Sequence, residues 1–427
     1  MSQNRIDSKK LISRIFDPDT SGKLKKQEGS KSIESTPLKS GPGFFQAIRA
    51  GFENAVYHNE FAGIDVGGDS IKFILLSKKS KGICIKDYQV EPLQKLSDGS
   101  QPEDPMKEVV NCLVKISSRI KPKTRVGISV YDQSVFLGEM AVPKGTNEEV
   151  RESIKKEMSD QHLIDPKTNF FDYIPEQNSD NASSIQKLFL VAIPRELIYR
   201  QFEVVQSAGF RVLSIETNPL ASWQALLRTE RWEKNERVVI LDVGARFTSL
   251  LIVAGQRILF GRLIPIAGNR FSVALSEKLN CNFSKAEELK KTYGLSAISK
   301  AGIKESNLSD EAFAVSGVLL DEINKLLAEV NRSLQFSFSK EVGSEGGKVH
   351  RAYLLGGSSD MTGFREYVCG SLNVDINPID LWKPYHLDEK FKTLNGFDKK
   401  KTLSPVALGL ALKIDEWAIL PFGLGMP

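Results

Sequence analysis

A chain of 427 residues, 41% hydrophobic and 26% charged, is composed like an ordinary globular protein and is too long for one core, so roughly two to four domains or subdomains are expected. Its formal net charge of +5 is small and owes much to a leader carrying Lys9, Lys10, Arg14, Lys23, Lys25 and Lys26. No basic stripe interleaved with aromatics is present, which argues for a solvated tail and against nucleic-acid binding. Cys84, Cys112, Cys281 and Cys369 lack CxxC spacing and stand apart from His58, His162, His350 and His386. A zinc site or disulfide frame is thereby excluded, and a reducing compartment is expected. No uninterrupted apolar run reaches bilayer length and Met1-Ser-Gln-Asn-Arg lacks a signal-peptide core, so a cytoplasmic protein is expected.

Residues 1 to about 59 are polar, with Ser35-Thr-Pro-Leu-Lys-Ser-Gly-Pro-Gly43 as a linker; Phe44, Phe45, Ile48, Phe52 and Val56 recur at helical spacing. Phe61 to Val66 is a short apolar run bounded by glycine, as an interior strand should be, and Asp65 at its end faces a Gly67-Gly68 turn into a second strand, Ile71 to Leu76. A third strand over Ile83 to Val90, an amphipathic helix over Met106 to Ile120 and a strand over Val126 to Val130 complete a mixed α/β layer. The texture changes at about Ser134. Strands are predicted at Phe136 to Val142, Phe170 to Ile174 and Lys187 to Ile193, with a helix opened by the Thr146/Glu149 capping box and another over Leu197 to Ala208. These make a small α+β insertion. Val212 to Ile215 then leads into Glu216-Thr-Asn-Pro-Leu-Ala-Ser222 and a helix with Pro219 in its first turn.

The opening pattern recurs at Val238-Val-Ile-Leu-Asp-Val-Gly-Ala-Arg-Phe-Thr-Ser249, which predicts two related halves facing each other. A third strand over Ile258 to Leu263, helices from Gly268 and Ser284, and a long helix carrying Ile323, Leu326, Leu327, Val330 and Leu334 follow. Ala352 to Leu355 is a strand entering the Gly356-Gly357 turn, Thr362-Gly363 opens a helix, and Pro405 to Trp417 is a last helix crossing back to the first half.

A glycine turn between strands exposes consecutive backbone N–H groups, a nest for phosphate oxygens. Gly67 and Gly68 with the Ser70 hydroxyl, and Gly244 with the Thr248 hydroxyl, are the candidates. Lys72 can reach back as a point charge. If the halves face each other, Asp65 and Asp242 converge on one phosphate tail and suit a hydrated Mg²⁺, which takes few carboxylates and keeps its waters. The Gly356-Gly357 turn would let backbone lie flat against an adenine, Gly268 and Ser358 are further cofactor-binding candidates, and Glu287 and Lys290, one helical turn apart, can bond two ribose hydroxyls. Glu216 or Asn218 are the residues placed to orient a water; as helix caps they serve structure alone.

The three turns in this order resemble the actin-like (ribonuclease H-like) ATPase superfamily from about Phe61 to Pro421, and within it the PilM family of type IV pilus assembly proteins, with FtsA-like proteins next. The matching features are Gly63-Ile-Asp-Val-Gly with Ser70 and Lys72, Glu91-Pro-Leu after the third strand, and Pro143 before a helix of form xxEExxxxIxxE. Leu241-Asp-Val-Gly-Ala, Ala286-Glu-Glu-Leu-Lys-Lys-Thr-Tyr-Gly294 and Leu355-Gly-Gly with Thr362-Gly363 complete them. The resemblance implies a two-lobed α/β fold with duplicated mixed-sheet subdomains. A leader over 1–60 would precede subdomain IA (61–133 and 212–237), interrupted by insertion IC (134–211). Subdomain IIA (238–282 and 349–400) would enclose IIB (283–348), with 401–427 returning to IA. It implies ATP in the interdomain cleft, with the Mg²⁺ that Asp65 and Asp242 suit; departures from the usual loop residues point to weak or absent hydrolysis. The implied partner is the cytoplasmic tail of a bitopic PilN-like protein docked on the insertion; pilus ATPase machinery and self-association are further contacts. The implied location is peripheral at the inner membrane. Gly68 stands where such loops usually carry Ser, Asp69 adds negative charge, Ser358 replaces a third glycine, and Arg246 could pair with a phosphate or block the site. An FtsA-like division protein and a small-molecule kinase of the same fold are the alternatives. The tail Ile419-Leu-Pro-Phe resembles the segment such partners insert; packing against the chain's own body is its other reading.

Overall fold

Two sheets with the same internal plan grow out of the two Asp-Val-Gly runs. The first begins with β1 (Glu60–Val66), buried from Phe61 to Asp65, which continues into β2 (Ser70–Lys79) and β3 (Gly82–Pro92) as an antiparallel meander with Asp65 opposite Lys72. A helix over Pro105–Ser117 follows, started by Pro105 and by the Asp104 side chain, which accepts from the Lys107 amide at 2.9 Å. It stops short of Ile120: Arg119 N–H donates to Ile116 O and Ile120 N–H to Ser117 O at 3.1 and 3.3 Å. The chain thus tightens into turns ahead of Pro122, whose ring disfavours helix in the residue before it. β4 (Arg125–Val130) then pairs parallel with β1.

The computed structural model describes residues 60–80, 82–95, 103–161, 164–176, 183–299, 302–303, 308–339, 348–376, 379–391 and 404–419. The expected leader helix over Phe44 to Val56 and the tail beyond Ile419 lie outside the described residues.

The insertion is an antiparallel sheet in the order β5 (Phe136–Pro143), β7 (Ile185–Pro194), β6 (Asn169–Pro175), with a helix over Asn147–Asp160. The capping box forms: Glu149 N–H donates to Thr146 Oγ1 at 3.3 Å and Thr146 N–H to Glu149 Oε2 at 2.8 Å. Strand alternation splits β7 between two cores. Leu188, Leu190 and Ala192 join Val150, Ile154 and Met158 in a private core, whereas Phe189, Val191 and Ile193 enter the main one. After a helix over Arg195–Ser207, β8 (Arg211–Thr217) runs parallel to β4 and leads into a helix over Asn218–Thr229.

In the second half β9 (Arg237–Val243), β10 (Thr248–Ala254) and β11 (Arg257–Ile264) repeat the meander, with Asp242 opposite Ser249. Helices Gly268–Lys278 and Phe283–Tyr293, the small hairpin β12 (Ile298–Ser299) and β13 (Gly302–Ile303), and the helix Asp310–Ser339 intervene before β14 (Arg351–Leu355) pairs parallel with β9. The order β11-β10-β9-β14 therefore copies β3-β2-β1-β4. The long helix buries Leu319, Ile323, Leu326, Val330 and Leu334 on the face its spacing predicts. A 3₁₀ turn over Gly357–Asp360 precedes the helix Phe364–Leu372.

The segment 349–400, expected to lie wholly in the second half, returns to the first earlier than that. Leu381, Trp382 and Phe391 are buried in the first core, and β15 (His386–Leu387) pairs parallel with the outer strand β3. An open edge at β3 is what this strand covers. The last helix, Pro405–Ile419, packs on β1 and β4 and on the helix Asn218–Thr229. It lies so close that a Cβ on Gly63 would fall 1.9 Å from Ala407 O, and one on Gly409 1.8 Å from Ala221 O.

Candidate functional site

Both hairpin turns close in the same way: Gly67 N–H donates to Ser70 O, and Gly244 N–H to Phe247 O, each at 3.1 Å. Those two amides, expected to face a phosphate, are instead spent inside their own hairpins. The glycines still keep the mouth narrow-walled, since a Cβ on Gly67 would sit 2.9 Å from Lys72 Nζ. Between the hairpins opens a cavity of about 370 Å³, walled by Asp65, Lys72 and Asp242 at one end and Glu287, Lys290 and Gly357 at the other.

Asp65 Oδ2 lies 3.4 Å from Lys72 Nζ, and Oδ1 accepts from Ser129 Oγ at 3.3 Å. Asp242 Oδ2 accepts from Ser222 Oγ, across the lobes, at 3.1 Å. The backbone of Gly356 (φ +86°) runs so near Asp242 that a Cβ there would come within 2.4 Å of Oδ1. Burial, and then the charge of Asp65, pushes the Asp242 carboxyl up to about 6, against the opposing pull of Lys72 and the Ser222 hydrogen bond. Tyr131 stands beside this pair, its hydroxyl donating to Phe247 O at 2.8 Å and its ring edge-on to Phe247 at 4.9 Å. Burial first, then Asp242 and Asp65, raise that hydroxyl well above its ordinary value.

At the far end, Gly268 N–H and Ser358 Oγ both donate to Gly244 O at 3.0 Å, tying three turns together. Lys290 Nζ donates to Gly268 O at 2.9 Å and Ser272 Oγ at 2.8 Å, and pairs with Glu287 Oε1. Lys291 reaches Glu287 Oε2 at 3.3 Å. Burial pushes the Glu287 carboxyl up, but Lys290 and the bonds from Lys290 and Ser272 outweigh it and hold it below the usual range. Burial lowers the Lys290 ammonium, with Glu287 opposing.

Of the residues singled out from sequence, Asp65, Gly67, Gly68, Ser70, Lys72, Asn218, Asp242, Gly244, Gly268, Glu287, Lys290, Gly356, Gly357 and Ser358 all line this one cavity. Thr248 and Glu216 do not. Thr248 is fully buried and donates to Ile266 O at 2.7 Å; it sits one residue out of phase, on the other side of the sheet from Asp242. The residue facing Asp242 is Ser249, which does line the cavity. The Asp65–Lys72 spacing of seven, carried to Asp242, would have found it. Glu216 accepts from the Thr217 amide at 2.8 Å and pairs with Lys413 of the last helix, so its carboxylate is turned to the body of the first lobe. Asn218, in contrast, is buried against the cavity and its Oδ1 has no hydrogen-bond partner. Tyr131 was missed by sequence reading; its position directly after a buried strand was the available signal.

Two carboxylates repelling each other at one end of the cavity, with one lysine near, suit a hydrated Mg²⁺. Asp65 and Asp242 would hold it, mainly through water. Such an ion supplies positive charge to a polyphosphate. Among the described residues no group of three or more His, Cys, Asp and Glu side chains is placed to hold a metal by itself.

The duplicated sheets, the paired hairpins and the third glycine turn define the fold of the actin-like ATPases. A chain of the solved PilM–PilN type IV pilus biogenesis complex superposes with a TM-score of 0.68 at 22% identity, covering 83% of this chain and 98% of that one. The family model described as type IV pilus assembly protein PilM matches residues 63–415, and the chain belongs to that family. Curated relatives include the cell division protein FtsA of Neisseria meningitidis serogroup B, 28% identical over 174 residues (38% of this chain, 40% of the relative). FtsA of Helicobacter pylori strain J99 is 28% identical over 226 residues (49% and 43%). The chain thus spans about two fifths of the length of the curated relatives it matches. Among the described residues no helix is long and apolar enough to cross a membrane.

Proposed function

We propose that this chain is an ATP-binding scaffold of a type IV pilus assembly platform, cytoplasmic and held at the inner membrane by the tail of a bitopic PilN-like partner. The observation that carries the nucleotide reading is the convergence of two matched Asp-Val-Gly hairpins on one cavity of about 370 Å³ that also holds the Glu287–Lys290 pair. Its shape and charge suit a nucleoside polyphosphate with Mg²⁺: carboxylates for the metal at one end, a buried Glu–Lys pair for ribose hydroxyls at the other. Hydrolysis would be slow, because Glu216 is engaged by Lys413 and the amide of Asn218 cannot take a proton from water at neutral pH. The partner reading rests on family membership and on the PilM–PilN complex that the fold matches. The insertion, with its own core, is the part proposed to dock the tail.

Calorimetric titration with Mg·ATP tests the nucleotide reading. Wild-type protein is expected to bind, and Asp65→Ala and Asp242→Ala to lose on the order of a hundredfold in affinity, about 2.7 kcal/mol. Unchanged affinity in both variants would remove the site. For the partner, a synthetic PilN-like amino-terminal peptide is expected to bind the full chain in fluorescence anisotropy. Failure of that peptide, together with nucleotide-dependent sedimentation of filaments, would favour the FtsA-like reading instead.

A further inference from the structure

The two turn tips, Gly68-Asp69 and Ala245-Arg246, occupy the same place in their hairpins and carry opposite charges. Their charges are not equally available. Asp69 is paired with Lys95, which also donates to Asn269 Oδ1 at 2.9 Å across the cleft. The cations on the cavity wall are engaged as well: Lys72 with Asp65, Lys290 and Lys291 with Glu287. Arg246 differs. It is exposed, and the acid it acts on is Asp132. Burial pushes that carboxyl up, but the bonds from Ser134, then Arg200 and Arg246, hold it below its ordinary value. Asp132 is turned to Ser134, which donates to it at 2.7 Å. The stem of Arg246 lies across the opposite hairpin, with Cγ and Cδ 2.5 and 2.8 Å from where a Cβ on Gly68 would be. Its guanidinium rests 5.5 Å from the centre of the Phe247 ring. Gly68 and Ala245, on either side of that stem, both line the cavity.

From this imbalance we propose that Arg246 reads the terminal phosphate of the bound nucleotide and makes the site prefer a nucleoside triphosphate over a diphosphate. The inference rests on the nucleotide reading above and deepens it. A triphosphate brings one more charged group to the turn end of the cavity, where the two carboxylates claim a metal and the other cations already have partners. The guanidinium is a planar donor suited to phosphate oxygens. It hangs on a flexible stem already seated over the first turn, so a rotamer change at its exposed end brings it onto the tail. The small residue at Gly68 is what makes room for that stem, which gives a physical reason for glycine where related loops carry a hydroxyl.

Calorimetry with Mg·ATP and Mg·ADP on wild type, Arg246→Ala and Arg246→Lys tests this. Arg246→Ala is expected to weaken ATP about tenfold while leaving ADP within twofold, and Arg246→Lys to recover part of the difference. An exposed position leaves the fold intact, which the melting temperature checks. Equal loss for both nucleotides would reduce Arg246 to general electrostatic attraction and overturn the proposal. Unchanged or tighter ATP binding would overturn it too, the latter making the arginine a plug. Those outcomes leave the nucleotide site standing. If wild type binds neither nucleotide, the site reading fails and this inference with it.

Discussion

The two hairpins share a backbone and differ in what they do with it. At the position two residues before the aspartate the first has Gly63 and the second Ile240, and this difference sets how close the last helix comes. Gly63 admits the last helix to within contact of the strand, whereas Ile240 is buried core. Opposite the aspartates stand Lys72 and Ser249, and at the tips Asp69 and Arg246. The charges of the first hairpin are therefore met by lysines, Lys72 at Asp65 and Lys95 at Asp69, and its strand is locked against the last helix; the second has a serine opposite its carboxylate and an exposed arginine at its tip. A duplicated element has been divided into a scaffold copy and a ligand-facing copy by differences at three equivalent positions.

Making the copies alike is the way to break this comparison. The largest effect is expected from Gly63→Ile: the new side chain collides with the Ala407 backbone, which cannot yield cheaply, and stability in urea should fall by about 3 kcal/mol or more. Asp242→Asn comes next. The native Asp242 carboxyl titrates at about 6 against an ordinary 3.8, so between those values the folded state holds a proton the unfolded state has lost. Stability must then fall as pH rises through that window, and the penalty is complete above it. Asparagine removes the penalty: metal-free melts should show no gain at pH 4 and a gain on the order of 2–3 kcal/mol at pH 7.5. A variant no more stable at the higher pH would contradict the crowding of the two carboxylates. Lys72→Ser, which gives the first hairpin the residue of the second, removes a cation that opposes the rise at Asp242. It should raise that titration further, visible by NMR of the labelled carboxyl, and weaken Mg·ATP by roughly tenfold. Smallest is a parity test. Thr248→Val should cost about 1 kcal/mol of stability through the lost bond to Ile266 and leave nucleotide affinity alone. Ser249→Ala, one residue on, should weaken binding severalfold with stability nearly unchanged; the reverse pattern would put the wrong face of β10 toward the ligand.

Local chemistry made much of this legible beforehand. Asp-Val-Gly at the end of an apolar run marks a strand turning at a sheet's end whatever lies around it, so both hairpins, the Thr146 capping box and the buried stripe of Asp310–Ser339 were readable from spacing alone. So were fourteen of the residues lining the cavity, because duplicated turns have one economical way to face each other. Partnership was not readable. Whether Glu216 looks into the cleft or back at Lys413 depends on where a helix almost two hundred residues later comes to rest. Likewise, Thr248 and Ser249 are both hydroxyl residues at a turn, and only pairing with β9 tells which points at Asp242. Patterns of adjacent residues fix strands and turns through short-range sterics and hydrogen bonds. Charge neutralisation and side-chain facing are settled by groups far apart in the chain, so the fold had to bring Lys413, Lys95 and Asp69 into place before it was decided which charges were left for a ligand.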